Sequence, residues 1–135
     1  MAMITWGPQL ELGFKTIDEQ HRNWTEIFNE LDRAQRSGRG AEVLGPVLDK
    51  LLDYTFLHFK TEEGLMSSAG YEELSTHERE HRVFADQIMI FRDKQAAGFM
   101  NVTPAVVDFL RSWLILHITA SDRGYITCLK EAGVS

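Results

Sequence analysis

The sequence predicts an all-α protein, an up-down-up-down four-helix bundle preceded by an N-terminal arm. Four long segments are separated by turn signals, each carries an apolar stripe at helical spacing, and none shows the alternation of a strand. The prolines lie at 8, 46 and 104, and turn residues cluster in RSGRG (36–40), SSAG (67–70) and AAGFMNVTP (96–104). We expect a single domain over residues 1–135, with an arm at 1–17 and helices at about 18–37, 41–67, 76–96 and 104–130.

The first predicted helix, at 18–37, has one inward face. Asp18 is the expected N-cap and Gly38 the expected C-terminal stop. Alternating steps of four and three residues place these side chains on the inward face: Ile17, His21, Trp24, Phe28 and Leu31.

The stripe of the second predicted helix, at 41–67, changes from aliphatic to polar. The same steps select Leu44, Leu48, Leu51, Thr55, His58, Glu62 and Leu65. The helix therefore carries an imidazole and a carboxylate one turn apart on its inward face.

The third predicted helix, at 76–96, opens with a capping-box pattern, Ser75-x-x-Glu78. Its inward stripe contains two imidazoles one turn apart, followed by apolar residues. The stripe consists of His77, His81, Phe84, Ile88 and Phe91.

The fourth predicted helix, at 104–130, has an irregular stripe. Thr103 is the expected N-cap and Pro104 the first helical residue. The stripe begins as Val106, Leu110, Trp113 and His117, and then resumes one residue late at Asp122, Tyr125 and Leu129. We expect a π-bulge between His117 and Asp122, which returns Asp122 to the inward face.

Charge and composition exclude several classes of protein. The net charge of −6 leaves no basic stripe for nucleic acid or for an anionic membrane surface. No segment has the length of a membrane span, and the N-terminus lacks the pattern of a secretory signal. The only cysteine, Cys128, cannot form an intramolecular disulfide, which fits a reducing compartment. We expect a cytoplasmic monomer.

All five histidines lie on inward stripes together with two carboxylates. The set consists of His21, His58, His77, His81, His117, Glu62 and Asp122. A single histidine on an apolar face is usually a hydrogen-bonded core residue. Two buried carboxylates, however, cost several kcal/mol unless they are compensated, and no lysine or arginine shares these stripes. A metal is the simplest compensation.

The number of ligands favours two metal ions. Seven side chains exceed the four ligands of a tetrahedral zinc. If both carboxylates and one solvent oxygen bridge two ions, three histidines give one ion six ligands, and two histidines leave the other with five and a vacant position. Imidazole with carboxylate suits iron better than calcium or magnesium, while manganese and zinc stay open.

Four motifs in order resemble the hemerythrin family, in particular its single-domain bacterial branch. The motifs are IDEQH (17–21), HFKTEE (58–63), HEREH (77–81) and HITASD (117–122), and the resemblance extends from Trp6 to Tyr125. It implies a non-haem centre of two iron ions, oxo- or hydroxo-bridged, that binds O2 reversibly for transport, storage or delivery to an O2-consuming enzyme. In the family pattern, one iron is held by His77, His81 and His117, the other by His21 and His58, and both are bridged by Glu62 and Asp122.

Large apolar residues next to these ligands in sequence are candidates for the lining of an O2 pocket. They are Trp24, Phe59, Trp113, Leu114 and Ile118. Plain core packing explains the same residues equally well. Glu63 and Tyr125 could steady ligand imidazoles from behind, although for Glu63 we favour a solvated position.

A zinc protease is the first alternative, because His77-Glu78-x-x-His81 matches a zinc-binding signature. The extended signature fails, since Phe84 replaces its glycine and Gln87 its distal histidine. We expect Glu78 to point outward.

Two further alternatives keep a di-iron centre. Ferritin-like oxidases are rich in carboxylates and carry two Glu-x-x-His motifs, whereas this chain has one, Glu78-x-x-His81, among many histidines. O2, redox or iron sensing by the same centre normally needs an attached output domain. We therefore expect an O2 carrier or store, and not an enzyme.

Overall fold

A computed structural model of the chain describes residues 3–37, 41–98 and 104–133, without the side chains of 41–44, 121 and 123. Within these ranges the chain is helical and contains no strand. A short 3-10 helix, Pro8–Leu10, precedes α1 (Lys15–Arg36), α2 (Ala41–Ala69), α3 (Leu74–Ala96), α4 (Pro104–Leu116), a π-helical segment (His117–Asp122) and α5 (Arg123–Glu131). Since α4, the π-helical segment and α5 follow without a break, the predicted four-helix bundle is confirmed.

The described residues of the bundle form two apolar clusters, with the polar stripe residues between them. α2 packs against both α1 and α3, while α4 lies against α1 and α5 against α2. Along α2, Glu62 lies between Phe59 of one cluster and Met66 of the other. In the fourth rod of the bundle, by which we mean α4, the π-helical segment and α5 together, Asp122 likewise lies between Ile118 and Tyr125. The bundle thus surrounds its buried carboxylates with apolar packing on both sides.

The N-terminal arm is tied to α1 by hydrogen bonds. The amide of Asn29 donates to the Ile4 carbonyl and its oxygen accepts from the Ile4 N–H, at 2.7 and 2.8 Å. The Asp18 carboxylate accepts from the backbone N–H groups of Leu12 and Gly13, at 2.8 and 3.0 Å. The prediction that Asp18 is the N-cap is therefore wrong: α1 begins at Lys15 and Asp18 serves the arm.

The start of α3 also differs from the prediction. Gly70, at φ 68°, ends α2, and the Tyr71 N–H donates to the Met66 carbonyl at 3.0 Å. Tyr71 and Leu74 pack against the second cluster, so the helix starts at Leu74. Ser75 then lies inside α3, and its predicted capping box is wrong because no side chain caps this end.

The remaining boundary predictions have mixed outcomes. Pro104 is the first residue of α4, as expected. Gly38 and Thr103, the expected stop and cap, lie outside the described residues, as does the side chain of Leu44. Four stripe residues that we expected to be buried are only partly buried: Leu65, Phe91, Val106 and Trp113. Across the described ranges, no helix combines the length and apolarity needed to cross a bilayer.

Candidate metal centre

The five histidines and two carboxylates that the stripes selected are all buried and meet inside the bundle. None exposes more than 4 % of its surface. Each of the four rods contributes: α1 supplies His21, α2 His58 and Glu62, α3 His77 and His81, and the π-helical segment supplies His117 and Asp122.

One group of ligand atoms lies between α1, α2 and the π-helical segment. His21 Nε2 is 2.7 Å from Asp122 Oδ2 and 3.9 Å from Glu62 Oε1. His58 Nε2 is in contact with the same Glu62 oxygen. These four side chains offer ligand atoms within 4.8 Å of one another and could hold a metal ion.

A second group lies beside it and shares both carboxylates. His117 Nε2 is 3.0 Å from Asp122 Oδ1, 3.5 Å from Glu62 Oε1 and 3.3 Å from His81 Nε2. His77 Nε2 joins through Asp122 Oδ1, at 3.5 Å. Two nitrogens that each lie about 2.1 Å from one ion are about 3.0 Å apart at a right angle and about 3.4 Å apart at a tetrahedral angle. The separation of His81 and His117 lies in this range.

Several polar atoms of the two groups converge without hydrogen bonds, although His117 Nε2 lies within hydrogen-bond distance of His81 Nε2 and of Glu62 Oε1. Buried atoms that lack a hydrogen-bond partner include His21 Nε2, His58 Nε2, His77 Nε2, Glu62 Oε2 and both Asp122 oxygens. Buried polar atoms are nearly always paired, and an unpaired one costs about 1–3 kcal/mol. Buried imidazole nitrogens and carboxylate oxygens gathered in two adjacent groups are the donor set of a metal site, so these residues fit a pair of metal ions.

The electrostatics of the cluster also favour cations. Burial disfavours charge, but His58 and His117 hold the pKa of Glu62 well below its usual range. Against the lowering effect of burial, the Asp122 and Glu62 carboxylates raise the pKa of His117 to about 10. In His81 burial prevails and lowers the pKa to about 3. Neighbouring histidines likewise lower the pKa of Asp122 against the effect of burial, so the cluster favours the ionised form of both carboxylates.

Two residues accept hydrogen bonds from the Nδ1 atoms of ligand imidazoles, on the side of each ring away from the centre. The His58 Nδ1–H donates to Gln20 Oε1, and the His81 Nδ1–H donates to Glu63 Oε2, both at 2.8 Å. The solvated position that we favoured for Glu63 is wrong, because its side chain is 31 % exposed and bonded to His81. Gln20 was missed: a polar residue at a half-buried helix position carries no sequence signal for such a bond.

Three of the expected pocket residues, Trp24, Phe59 and Trp113, place their rings next to ligand imidazoles and form what we call the wall of the centre. The Phe59 ring stacks on His81 at 3.7 Å, and Trp113 stacks on His117 at 4.7 Å. The Trp24 ring lies 4.9 Å from that of His58. Four of the expected residues are buried in the first apolar cluster, and Trp113 is half-buried against it. The four are Trp24, Phe59, Leu114 and Ile118. Sequence reasoning missed Phe84 as a wall residue, although it stacks on Trp113 at 3.8 Å.

Tyr125 lies on the other side of the centre. Its ring contacts that of His77 at 5.6 Å, nearly at a right angle. Its hydroxyl is buried, and burial together with the Glu62 and Asp122 carboxylates raises its pKa. The hydroxyl is therefore held in its neutral form next to the ligand groups.

The protease signature is divided by the fold. His77 and His81 point into the centre, whereas Glu78 is absent from both groups and lines a surface cavity between α2 and α3.

The predicted π-bulge is confirmed over His117–Asp122.

Comparison with known proteins identifies the family of the chain. The profile of the hemerythrin HHE cation binding domain matches residues 12–129. The chain is 38 % identical to the bacteriohemerythrin of Stenotrophomonas maltophilia over 130 residues, which cover 96 % of this chain and 84 % of that protein. For the bacteriohemerythrin of Methylococcus capsulatus, the identity is 33 %, with 96 % and 98 % covered. A crystal structure of wild-type hemerythrin superimposes with a TM-score of 0.88 at 31 % identity, over 94 % of this chain and 98 % of that one. Profile, relatives and bundle agree over nearly the whole chain, which therefore belongs to the hemerythrin family.

Proposed function

We propose that this protein binds O2 reversibly at a non-haem di-iron centre and serves in transport, storage or delivery to an O2-consuming enzyme. In this proposal Glu62 and Asp122 would be shared by the two irons. His77, His81 and His117 would hold one iron, and His21 and His58 would hold the other. When bound, the irons supply the electrons that O2 binding requires.

The position of Asp122 is the observation that carries the proposal. Its Oδ2 faces His21, while its Oδ1 faces His117 and His77. A carboxylate whose two oxygens face different imidazole groups is arranged to bridge two ions. Three imidazoles on one side and two on the other leave one half a ligand short, which provides a position for a small molecule.

The wall around the centre favours binding over turnover. Phe59 and Trp113 cover the faces of two imidazoles, and Trp24 contacts the rings of His21 and His58. These rings exclude water, which keeps protons away from bound O2. Gln20 and Glu63 fix the ring tautomers so that each Nε2 faces the centre. We infer a binding protein and not an enzyme.

An optical titration tests this function. Iron-loaded protein is reduced without air, titrated with O2 and then evacuated, and iron per chain is counted on the same sample. We expect two irons per chain and an absorption band that appears with O2 and disappears under vacuum. An irreversible change to an oxidised form would refute reversible binding and favour redox sensing or oxidase chemistry. Failure to hold two irons would refute the centre itself.

A further inference from the structure

The two halves of the centre have different hydrogen-bond acceptors behind their imidazoles. His58, in one half, donates its Nδ1–H to the neutral amide oxygen of Gln20. His81, in the other half, donates its Nδ1–H to the carboxylate of Glu63. Both bonds are 2.8 Å long, so they differ in the charge of the acceptor and not in geometry.

Neighbouring groups fix the orientation of the Gln20 amide. The Thr61 hydroxyl donates to the Leu57 carbonyl at 3.0 Å, so its oxygen is free to accept. The Gln20 NH2 group donates to that oxygen at 3.1 Å. The amide oxygen therefore faces His58, and the ring of His58 is held with its proton on Nδ1 and its Nε2 lone pair towards the centre.

His81 is the nearest partner of the Glu63 carboxylate. The Glu63 side chain lies in a cavity of about 810 Å³ that opens to solvent between α2 and α3. Among the described residues, His81 is its only ion-pair partner within 4.0 Å. Lys60 and Arg82 line the same cavity at greater distances from the carboxylate, and Glu78 adds a second negative charge there. The His81 bond therefore carries the main local effect of this carboxylate.

A carboxylate and an amide act differently on a metal-bound imidazole. A carboxylate that accepts the Nδ1–H makes Nε2 a stronger donor, and outer partners of this kind change metal affinity by about 10- to 100-fold. A stronger donor with a nearby negative charge stabilises the more highly charged state of the metal. A neutral amide gives the ring the same orientation with a weaker electronic effect.

We propose that Glu63 and Gln20 make the halves electrically unequal: Glu63 lowers the reduction potential of the half that contains His81, and the first electron enters the half that contains His58. This inference rests on the proposed di-iron centre and deepens it. Glu63 acts as a positioning residue through His81, and Gln20 plays the corresponding part through His58.

Glu63→Gln tests the proposal, with Glu78→Gln as the matched control. Both variants remove one negative charge from the same cavity, but only the first changes the bond to His81. Iron-loaded proteins are titrated in a mediated spectroelectrochemical cell, which gives two one-electron midpoint potentials. In Glu63→Gln the more negative potential rises, so the two steps move closer. A tenfold change in that equilibrium corresponds to about 59 mV. In Glu78→Gln the separation stays that of the wild type.

The exchange on the other side is an independent test. Gln20→Glu adds a carboxylate behind His58, so the more positive potential falls and the steps again move closer. An unchanged or wider separation in either variant would refute the proposal, as would equal shifts in Glu63→Gln and its control. The second variant also keeps the test valid if Glu63→Gln does not fold.

A zinc measurement separates failure of this inference from failure of the proposed function. If the wild type does not hold two irons, the proposed function is refuted, and the bond is then tested by competition for Zn²⁺ against a chelator. Glu63→Gln weakens Zn²⁺ binding by about 10- to 100-fold, whereas Glu78→Gln does not. Equal Zn²⁺ affinities in the two variants would show that the carboxylate has no role at His81.

Discussion

Replacing Thr55 by valine tests how the wall of the centre is held in place. The Trp24 indole N–H donates to the Thr55 hydroxyl at 3.0 Å, and that hydroxyl donates to the Leu51 carbonyl at 2.7 Å. Both side chains are fully buried. Thr55 thus satisfies the one polar atom of an indole whose ring contacts those of His21 and His58.

The expected cost follows from the bond that is lost. Valine keeps the shape of threonine but cannot accept a hydrogen bond, so the indole N–H is left buried and unpaired. Such a group costs about 1–3 kcal/mol. Thr55→Ser is the control, because it keeps the hydroxyl and removes one methyl group, at a cost of about 0.8 kcal/mol. Small domains are stable by about 5–15 kcal/mol, so the loss in Thr55→Val is measurable.

Urea unfolding of the metal-free protein measures the difference between the two variants. Circular dichroism follows the helices and tryptophan fluorescence follows the packing of the indole rings, and both give the free energy of unfolding. We expect Thr55→Val to be the less stable variant, at an unchanged dependence on urea concentration. A Thr55→Val protein as stable as the wild type, or more stable than Thr55→Ser, would refute the assigned role of the hydroxyl.

Three further predictions concern the centre. Glu78→Ala keeps two irons per chain by metal analysis, because Glu78 lies outside both ligand groups; loss of both would favour the zinc-protease alternative. Removing the metals with a chelator lowers the melting temperature, since ions bind the folded cluster preferentially; an unchanged melting temperature would contradict a preformed site. In the metal-free protein, thermal melts should show the highest stability near pH 6.5. Folding lowers the pKa of His81 to about 3, so stability is lost as pH falls below 6.5. Folding raises the pKa of His117 to about 10, so stability is lost as pH rises from 6.5 towards 10. A monotonic pH dependence between pH 4.5 and 9.5 would contradict these two pKa directions.

The sequence predicts those parts of the site that depend on helical spacing. His58 and Glu62 are four residues apart, as are His77 and His81, so each pair must share a helix face. All four are buried in the structure. The inward stripes of the four helices together contain all five histidines, which predicts that these side chains meet, because a bundle has one interior.

Features that depend on contact between distant segments could not be predicted in the same way. Aspartate is a favoured N-cap residue, but the Asp18 carboxylate accepts hydrogen bonds from backbone N–H groups of the arm instead. Glu63 looks like a solvated residue beside Glu62, because the sequence does not say that α3 brings His81 within 2.8 Å. Local propensity is a weak guide wherever a partner from another helix offers a better hydrogen bond.

The fourth rod is the exception, because there an irregular spacing in the sequence already reports a tertiary requirement. An α-helix turns 100° per residue, so five residues from His117 would leave Asp122 about 140° away from the inward face. The π-helical segment bonds each residue to the fifth one along and returns Asp122 to that face. The Thr119 hydroxyl donates to the Ile115 carbonyl at 2.7 Å and so supplies a donor at the entry to the wide turn. A regular helix would be locally more stable, so the segment is explained by what it positions: one carboxylate between two groups of histidines.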